Sequence, residues 1–373
     1  MKKLALTVSI ACALCVSGMA LAQTFEEAVA ALDKKDYATA MAGFRNEGEK
    51  GNAAAQINVS VLYERGLGVP KDDAKAASWV RRAAEGGMAG AQFKMAMRYY
   101  AGVGVKQDPK EGVAWLRKAA ASDSAEAQYN LALAAWDGTA VVSKDRVLAV
   151  AMYRRSAELG YAPAQYNYAV LLNTGNGVAK DDVQAVRLLR KAAEQGLATA
   201  QAGLALAYEQ GIGMAPDLQQ AFTWRQNAAA QGVPEAQFAL GRMYEEGLGT
   251  AKDGAQAVAW IGKAASQNNA NAQAYIGSNY ATGKGVPRND KLAAEWFQKC
   301  AEQGNPECHM KLGILYFQGI NGQKDPELAY YWWQVSATRG NRNTAKLLPM
   351  VEELLTADQL ATQQAKAAAW KAR

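Results

Sequence analysis

Apolar residues recur along this chain at intervals of three and four, which is the spacing of short amphipathic helices. In one segment Ala91, Met95, Ala96 and Tyr99 fall on a single side of such a helix. A pair of glycines follows, and glycine ends a helix readily because it accepts the left-handed conformation without a Cβ clash. We therefore predict a first helix of about 12 to 14 residues that stops at the glycines.

A second amphipathic segment begins soon after the glycines. Asp108 and Pro109 are typical of a helix start, with Asp as the N-cap and Pro at the first helical position. Val113, Leu116 and Ala119 then give the second helix its buried side. The unit is predicted to be an antiparallel helix pair. Because isolated helices of this length are marginal in water, each pair must gain its stability from its neighbours.

The dipeptide Ala-Gln marks the repetition of this unit. It begins at positions 55, 91, 127, 164, 200, 236 and 272, and Cys308-His309 stands at the next equivalent position. A nearly fixed period of this size is typical of a solenoid, in which each unit buries its apolar side against the units beside it. The pattern predicts an all-α fold, an α/α superhelical solenoid of helix pairs.

Three further features recur with the same period. The glycine stop appears as Gly66/Gly68, Gly102/Gly104, Gly175/Gly177, Gly211/Gly213, Gly247/Gly249 and Gly283/Gly285. The acid before the second helix is Asp72, Asp108, Asp145, Asp181, Asp217, Asp253 or Asp325. The second helix carries Trp79, Trp115, Trp224, Trp260, Trp296 or Trp332. We interpret the acids as helix caps and the tryptophans as packing residues, not as a catalytic carboxylate ladder or a ligand cage.

The recurring motif AQxxLGxxYxxGxGVxxDxxKAxxWxxKA resembles that of the Sel1-like repeat family, which is related to the tetratricopeptide repeats. The resemblance covers eight units within 50–339 and implies a scaffold that binds proteins or peptides. Bacterial members act in envelope complexes, polysaccharide export, signalling control and host interaction. Residues 23–49 are predicted to form an N-terminal capping helix pair. Residues 340–373 are predicted to form C-terminal capping helices with the polar outer face that a solenoid end requires.

Residues 1–22 are predicted to be a secretory signal peptide. Two lysines precede an apolar run at 4–16, and the Ala-Leu-Ala sequence at 20–22 provides a cleavage site. The apolar run is shorter than the roughly 20 residues that cross a bilayer, and we expect no transmembrane segment after cleavage. We therefore expect cleavage near Ala22-Gln23 and a periplasmic or secreted mature chain.

The charge of the chain favours no polyanionic partner. The formal net charge is +6, and loss of the two lysines of the predicted signal peptide, which has no acid, leaves +4. The basic residues mostly alternate with acids along the helices, without a basic block of the kind that binds nucleic acid or anionic lipid. We expect no nucleic-acid partner.

Cys300 and Cys308 stand at positions where other units have alanine. Small residues at both positions imply a close approach across the turn between units, and in an exported chain two such cysteines should form a disulfide. A pair of free buried thiols is the alternative. The same separation occurs in the cysteine-rich Sel1-like proteins of Helicobacter, where the family pattern is a disulfide in every repeat.

The sequence offers little chemistry for catalysis. His309 is the only histidine, which excludes the usual Ser-His-Asp triad, HExxH zinc sites and histidine clusters. It occupies the Gln position of the repeat, where a packing or turn role is expected. The motifs Ser-x-x-Lys, Ser-Asp-Asn and Lys-Thr-Gly of serine β-lactamases are absent. We expect no catalytic residues, no metal and no cofactor. A protein that acts on peptidoglycan or β-lactams stays an alternative by family resemblance alone.

Two columns of first-helix residues are predicted to face the inner side of the solenoid, as in the related tetratricopeptide arrays. They contain the candidate partner-binding residues Phe93, Tyr129, Tyr166 and Phe238 in one column and Tyr100, Trp136, Glu209 and Glu245 in the other. Exposed aromatic rings are candidate hot spots at interfaces. The alternative is that these rings belong to the core between repeats. The leading hypothesis is an exported, non-enzymatic scaffold for a protein or peptide of the envelope, and glycan binding by the rings is a further alternative.

The third and fourth units depart from the regular pattern. The third lacks the second glycine of the stop, has Ala135 in place of Tyr, and contains one extra residue near 141–143. The fourth has Leu172 in place of Tyr and Leu188-Leu189 where Trp is expected. We hypothesise that the array bends here and shapes the partner-binding surface, whereas the alternative is tolerated sequence drift.

Overall fold

The computed structural model describes residues 24–320 and 322–372, so the predicted signal peptide lies outside the described residues. Within these ranges the chain forms helices and no β-strand, apart from one isolated bridge between Ile320 and Gln323. The chain divides into two compact units, unit 1 up to Ala164 and unit 2 from Gln165. The all-α fold of helix pairs is confirmed.

Unit 1 is built from helix pairs in which each helix packs against the helices before and after it. Its helices are α1 (Phe25–Asp33), α2 (Tyr37–Glu49), α3 (Ala53–Arg65), α4 (Asp73–Glu85), α5 (Ala89–Ala101), α6 (Pro109–Ala121), α7 (Ala125–Asp137) and α8 (Arg146–Glu158). The boundary between the units falls inside α9 (Ala162–Thr174). The pair α1–α2 occupies the segment predicted to be the N-terminal cap, and its first helix begins with a capping box at Thr24 and Glu27.

Unit 2 continues the alternation of first and second helices and ends in three additional helices. Its helices are α10 (Asp182–Glu194), α11 (Ala198–Gln210), α12 (Leu218–Ala230), α13 (Pro234–Glu246), α14 (Gly254–Ser266), α15 (Ala270–Thr282), α16 (Asp290–Glu302), α17 (Pro306–Gln318), α18 (Pro326–Ala337), α19 (Arg342–Ala345), α20 (Leu348–Glu352) and α21 (Ala357–Ala369). We number the pairs from α3–α4 to α17–α18 as repeats one to eight.

The helix boundaries follow from the residues that predicted them. In repeat two, Met95 and Ala96 are fully buried and Gly102 ends α5 in the left-handed conformation. The Asp108 carboxylate accepts hydrogen bonds from the backbone N–H groups of Lys110 and Glu111, which satisfies two donors at the start of α6. The predicted helix pair is confirmed in this repeat.

The recurring acids are helix caps. Backbone N–H groups in the first turn of the following helix donate to Asp72, Asp108, Asp145, Asp181, Asp217, Asp253 and Asp325. The Lys75 N–H that donates to Asp72 stabilises its charged form and lowers the pKa of that carboxyl. These carboxylates therefore cap the helices that follow them, as predicted.

The tryptophans of the second helices are packing residues, as predicted. Trp79, Trp115 and Trp332 are buried, and a basic side chain three residues further on covers several of the rings. The Lys118 ammonium, for example, lies 4.2 Å from the centre of the Trp115 ring. Trp115 and Trp332 pack in clusters to which neighbouring helices contribute, whereas Trp224, Trp260 and Trp296 are half-buried.

The glutamine of the Ala-Gln dipeptide is a buried hydrogen-bonding residue that joins neighbouring repeats. Its side-chain N–H donates to a carbonyl at the end of the preceding second helix, eight residues earlier. The distances are 2.8 Å from Gln56 to Gly48, 3.0 Å from Gln128 to Ala120 and 3.1 Å from Gln237 to Ala229. Because the last carbonyls of a helix have no partner inside it, this side chain caps the helix of one repeat from the next.

In unit 2 the same glutamine also binds the second helix of its own repeat. The side-chain oxygen of Gln201 accepts from Gln231 at 2.7 Å, and that of Gln273 accepts from Gln303 at 2.8 Å. Unit 1 lacks this second bond for Gln92, since Ser122 stands where the donor would be. The buried side-chain oxygen of Gln92 has no hydrogen-bond partner.

A glutamine at position 122 is expected to supply the missing donor. The Ser122→Gln variant should be more stable than the native protein by about 1 kcal/mol, because it satisfies a buried acceptor. The matched variant Gln231→Ser removes the same bond from unit 2 and should lower stability by a similar amount. Urea unfolding of both variants measures the two effects. Equal stability of Ser122→Gln and the native protein would contradict this account of the glutamine pair.

His309 performs the capping role of the glutamine that it replaces. Its Nε2 lies 2.9 Å from the Ala301 carbonyl oxygen, eight residues earlier, as in the glutamine repeats. The ring is fully buried between Trp332 and Trp370, with ring centres 5.5 and 4.9 Å away. Burial disfavours the charged ring and lowers its pKa to about 4, although the bond to Ala301 favours that charge; Arg339 lowers the pKa further.

This buried histidine predicts a pH dependence of stability. The pKa of His309 is about 4 when folded, against an ordinary value of 6.5. The unfolded chain therefore binds more protons between these values, and stability falls as the pH drops through this window, by up to about 3 kcal/mol. His309→Gln keeps the capping bond and does not titrate. Urea unfolding at pH 7 and pH 4.5 should show a smaller loss for this variant, and parallel losses would refute the assignment.

Candidate interaction surface

On one side of the first helix of each repeat, residues recur at intervals of four and three. In repeat two this side contains Phe93, Met97 and Tyr100, which lie above one another on α5. We call the equivalent positions of all first helices the first-helix face. It includes both columns that were predicted from the sequence, together with a third column between them.

The aromatic side chains of unit 1 that were predicted to bind a partner are half-buried. They lie at the boundary between the core and the surface. Tyr129 makes edge contacts with Tyr153 and Tyr161, with ring centres 5.9 and 5.3 Å away. Trp136 lies 6.4 Å from Tyr153 and beneath the Arg146 guanidinium. Each ring thus supports its own repeat as well as the surface, and its role in binding stays a prediction.

Phe93 and Tyr100 pack at the edge of the core formed by repeats one to three. Burial of its hydroxyl raises the pKa of Tyr100, against a smaller opposite effect of Arg117. Tyr100 also lines a groove of about 640 Å³ between repeats two and three. The groove is bordered by Met97, Pro109 and Leu133.

The middle column of the first-helix face is the part that sequence reasoning missed. It contains Val61, Met97, Leu133, Val170 and Leu206. Leu133, Val170 and Leu206 are 42%, 41% and 38% exposed, which is high for large aliphatic residues on a helix inside a stack. These positions lie four residues after the first predicted column. The helical period alone could therefore have identified them.

The groove lies beside the loop of repeat three, which lacks the second glycine of the stop. In repeats two, five and six a Cβ on that glycine would collide with a carbonyl of the preceding second helix; at Gly104 it would lie 1.9 Å from the Asp73 oxygen. The loop and the helix therefore touch in those repeats. In repeat three the position is Ala140, whose methyl group excludes such an approach to Pro109, and both residues line the groove.

The extra residue of repeat three lies in the same loop. Residues 138–145 connect α7 and α8, whereas the shorter segment 102–108 connects α5 and α6. The Thr139 hydroxyl accepts hydrogen bonds from the backbone N–H groups of Val141 and Val142, and the Val142 side chain is buried. The insertion is thus a folded turn with its own apolar anchor.

In unit 2 the predicted acids are engaged in ion pairs. Glu245 accepts hydrogen bonds from Tyr275 at 2.5 Å and Lys284 at 2.9 Å, and also pairs with Arg242. Burial opposes the charge of Glu245, but these donors outweigh it and hold its pKa below the ordinary value. Tyr275 also makes an edge contact with Phe238, with ring centres 6.3 Å apart.

Glu209 and Tyr166 occupy the remaining predicted positions of unit 2. The Glu209 carboxylate lies 3.2 Å from the guanidinium of Arg225, a residue that is almost fully buried. Tyr166 is half-buried and lines a small pocket between repeats four and five. The acids therefore neutralise nearby bases and leave little net charge on this part of the first-helix face.

Metal-ligating residues do not converge in the described part of the chain. Among residues 24–320 and 322–372, no three His, Cys, Asp or Glu side chains form a group that could hold a metal ion. In the same ranges, no helix has the length and apolar character needed to cross a membrane.

Cys300 and Cys308 form a disulfide in the structure. Their sulfur atoms lie 2.07 Å apart and their Cα atoms 5.9 Å apart, and both residues are fully buried. The bond joins α16 to α17 across the turn between repeats seven and eight. At the equivalent turn between repeats six and seven the residues are Ala264 and Ala272, both fully buried.

The comparison with protein families gives a match over most of the chain. The family model described as Sel1 repeat matches eight times, at 53–88, 89–124, 125–161, 162–197, 198–233, 234–269, 270–305 and 306–341. The third match is one residue longer than each of the others, which agrees with the longer loop of repeat three. No curated protein sequence matches this chain.

Two solved structures show the same fold. One is c5321, described as a protective antigen present in uropathogenic Escherichia coli strains displaying an SLR fold. It is 29% identical, with a TM-score of 0.66, over 91% of this chain and 82% of that one. The other is a Sel1 repeat protein from Oxalobacter formigenes, 32% identical, with a TM-score of 0.61, over 83% of this chain and 89% of that one.

Alanine at both cysteine positions is expected to isolate the contribution of the disulfide. Because alanine occupies these positions in other repeats, the Cys300→Ala/Cys308→Ala variant should keep the packing of the turn. Loss of a cross-link that closes so short a loop should lower stability by roughly 2.5 kcal/mol. Urea unfolding of this variant, beside the native protein with and without reductant, measures the effect. A variant as stable as the oxidised protein would contradict a stabilising role.

Proposed function

This chain belongs to the Sel1 repeat family, and we propose that it is an exported, non-enzymatic scaffold that binds a protein or peptide on the first-helix face. Proteins of this family are scaffolds that generally mediate protein–protein interactions. The proposal adds the surface, the compartment and the absence of catalysis for this particular chain.

The observation that carries the proposal is the exposed apolar part of the first-helix face in unit 1. Leu133 is exposed, and it borders the groove together with the half-buried side chains of Met97 and Tyr100. Large apolar side chains on a surface mark interaction sites when they are contiguous, and aromatic rings in such a patch supply much of the binding energy. The groove volume of about 640 Å³ is sufficient for several side chains of a partner.

Export and an envelope location are proposed from the first residues of the sequence. The two lysines, the apolar run and the Ala-Leu-Ala site together form the pattern of a cleaved signal peptide. The disulfide between Cys300 and Cys308 supports the same compartment, since structural disulfides persist in oxidising environments. We propose the periplasm as the location of the mature chain.

A binding role is favoured over catalysis by the chemistry of the described residues. The recurring aspartates cap helices, Glu209 and Glu245 are paired with bases, and His309 is buried against a carbonyl. None of these groups is left free beside a cavity in the way that a general base or nucleophile requires. Hydrolysis of nitrocefin by the mature protein would favour the β-lactam alternative instead.

A charge at the rim of the groove is expected to abolish partner capture. Leu133→Lys places an ammonium on the exposed apolar patch, where a bound partner would have to remove this charge from water. Asp137, one turn further along α7, can pair with the new lysine and so preserve the helix. Crosslinking and affinity capture from envelope fractions, quantified by mass spectrometry, should show at least about tenfold less partner.

Val147→Lys is the matched control. Val147 is 82% exposed on α8, outside the first-helix face, so the same new charge should leave capture unchanged. Circular dichroism of both variants should be native. Capture of the same proteins in the same amounts by Leu133→Lys and by the native chain would reject this surface. Tyr129 and Trp136 are weaker probes, because their contacts with Tyr153 also support the fold.

A further inference from the structure

A small enclosed pocket lies between repeats four and five, within unit 2. Its volume is about 180 Å³, and Val170, Val186, Leu189, Leu206 and Ile212 line it. The polar side chains in its lining are Tyr166 and Asn173. We call it the Gly203 pocket, because that glycine forms part of its wall.

Gly203 leaves α11 without a side chain at this part of the pocket wall. Other repeats have asparagine, lysine, tyrosine or alanine there. A Cβ on Gly203 would lie 3.3 Å from a methyl of Leu189 and 3.8 Å from the Tyr166 ring, and any longer side chain would enter the cavity. Glycine inside a helix lowers its stability relative to most residues, so the opening has a cost to the fold.

The pocket is lined by residues at the same repeat positions as those that line the groove in unit 1. Val170, Leu189 and Leu206 are the equivalents of Met97, Leu116 and Leu133, which line the groove between repeats two and three. Both openings thus occur at the same place in the repeat, where the middle column of the first-helix face meets the second helix. The pocket differs from the groove in being smaller and more enclosed.

The charges around the pocket mouth are paired. Glu209 is paired with Arg225, and Asp182 with Lys180 at 3.2 Å. Asn173 donates to Asp182 at 2.9 Å, an orientation that leaves its side-chain oxygen available as an acceptor. A backbone N–H beside an apolar side chain would find both an acceptor and a cavity.

We propose that the Gly203 pocket receives one leucine- or phenylalanine-sized side chain of a bound peptide, with an adjacent backbone N–H donating to Asn173. A protein cavity of about 150 Å³ lined by aliphatic and aromatic groups binds benzene, so this pocket has the size for one ring or one branched aliphatic group. The inference rests on the proposed function and specifies the chemistry that the partner presents. Burial of such a side chain contributes roughly ten- to hundredfold in affinity.

The test uses N-acetyl amides of single amino acids as probes. Saturation-transfer NMR on the full mature chain should show binding of N-acetyl-leucine amide or N-acetyl-phenylalanine amide, and none of N-acetyl-glycine amide. Gly203→Met fills the pocket with a flexible side chain and raises helix propensity, so the variant should fold and lose the signal. Ala239→Met, the equivalent change in repeat six, is the control and should keep the signal.

Absence of binding by the native chain, or equal binding by Gly203→Met, would overturn the proposal. The result for the pocket can be distinguished from the result for the proposed scaffold function. Probe binding that depends on Gly203, without capture of any envelope protein, supports the pocket and counts against the scaffold role. Capture that depends on Leu133, with no probe binding, supports the scaffold role and rejects the pocket.

Discussion

The fold depends on one buried hydrogen bond, from the Ala-Gln glutamine to the end of the preceding second helix. A pair of 13-residue helices such as α5 and α6 is too short to be stable alone, and its end carbonyls would be left without donors inside a stack. The buried side-chain amide of Gln92 or Gln237 donates to one of these carbonyls. The same hydrogen bond joins its repeat to the preceding one. His309 keeps this geometry with a different side chain, which shows that the donor position matters more than the residue type.

The sequence predicted the fold well because every repeat specifies the same local rules. The caps, the left-handed glycine at Gly102 and the buried face of α6 each follow from residue types at a fixed period. The candidate site was less predictable. Whether a ring such as Tyr129 is exposed depends on the side chains of the next repeat, and its contact with Tyr161 crosses a turn that the period does not describe. The middle column could have been predicted from the helical period, because its positions lie four residues after those of the first column.

Each candidate opening lies beside a residue that departs from the regular pattern of the repeat. Ala140 replaces a glycine that lets the loop touch the preceding helix, and Gly203 replaces a larger side chain that would fill the space beside Leu189. Because a solenoid is held together by nearest neighbours, such a local change opens space without disturbing distant repeats. A binding surface can therefore evolve in one repeat while the others keep the fold.

The unpaired side-chain oxygens of Gln92 and Gln128 bear on the local stability of unit 1. They belong to repeats two and three, whose first helices border the groove, and each unsatisfied acceptor lowers the cost of local unfolding. A ligand that binds only the folded form stabilises it, and the stabilisation grows with ligand concentration. The amide hydrogens of α5 to α8 would then exchange with solvent more slowly when a partner is bound, and the resistance of this segment to proteases would report how much of the protein is occupied.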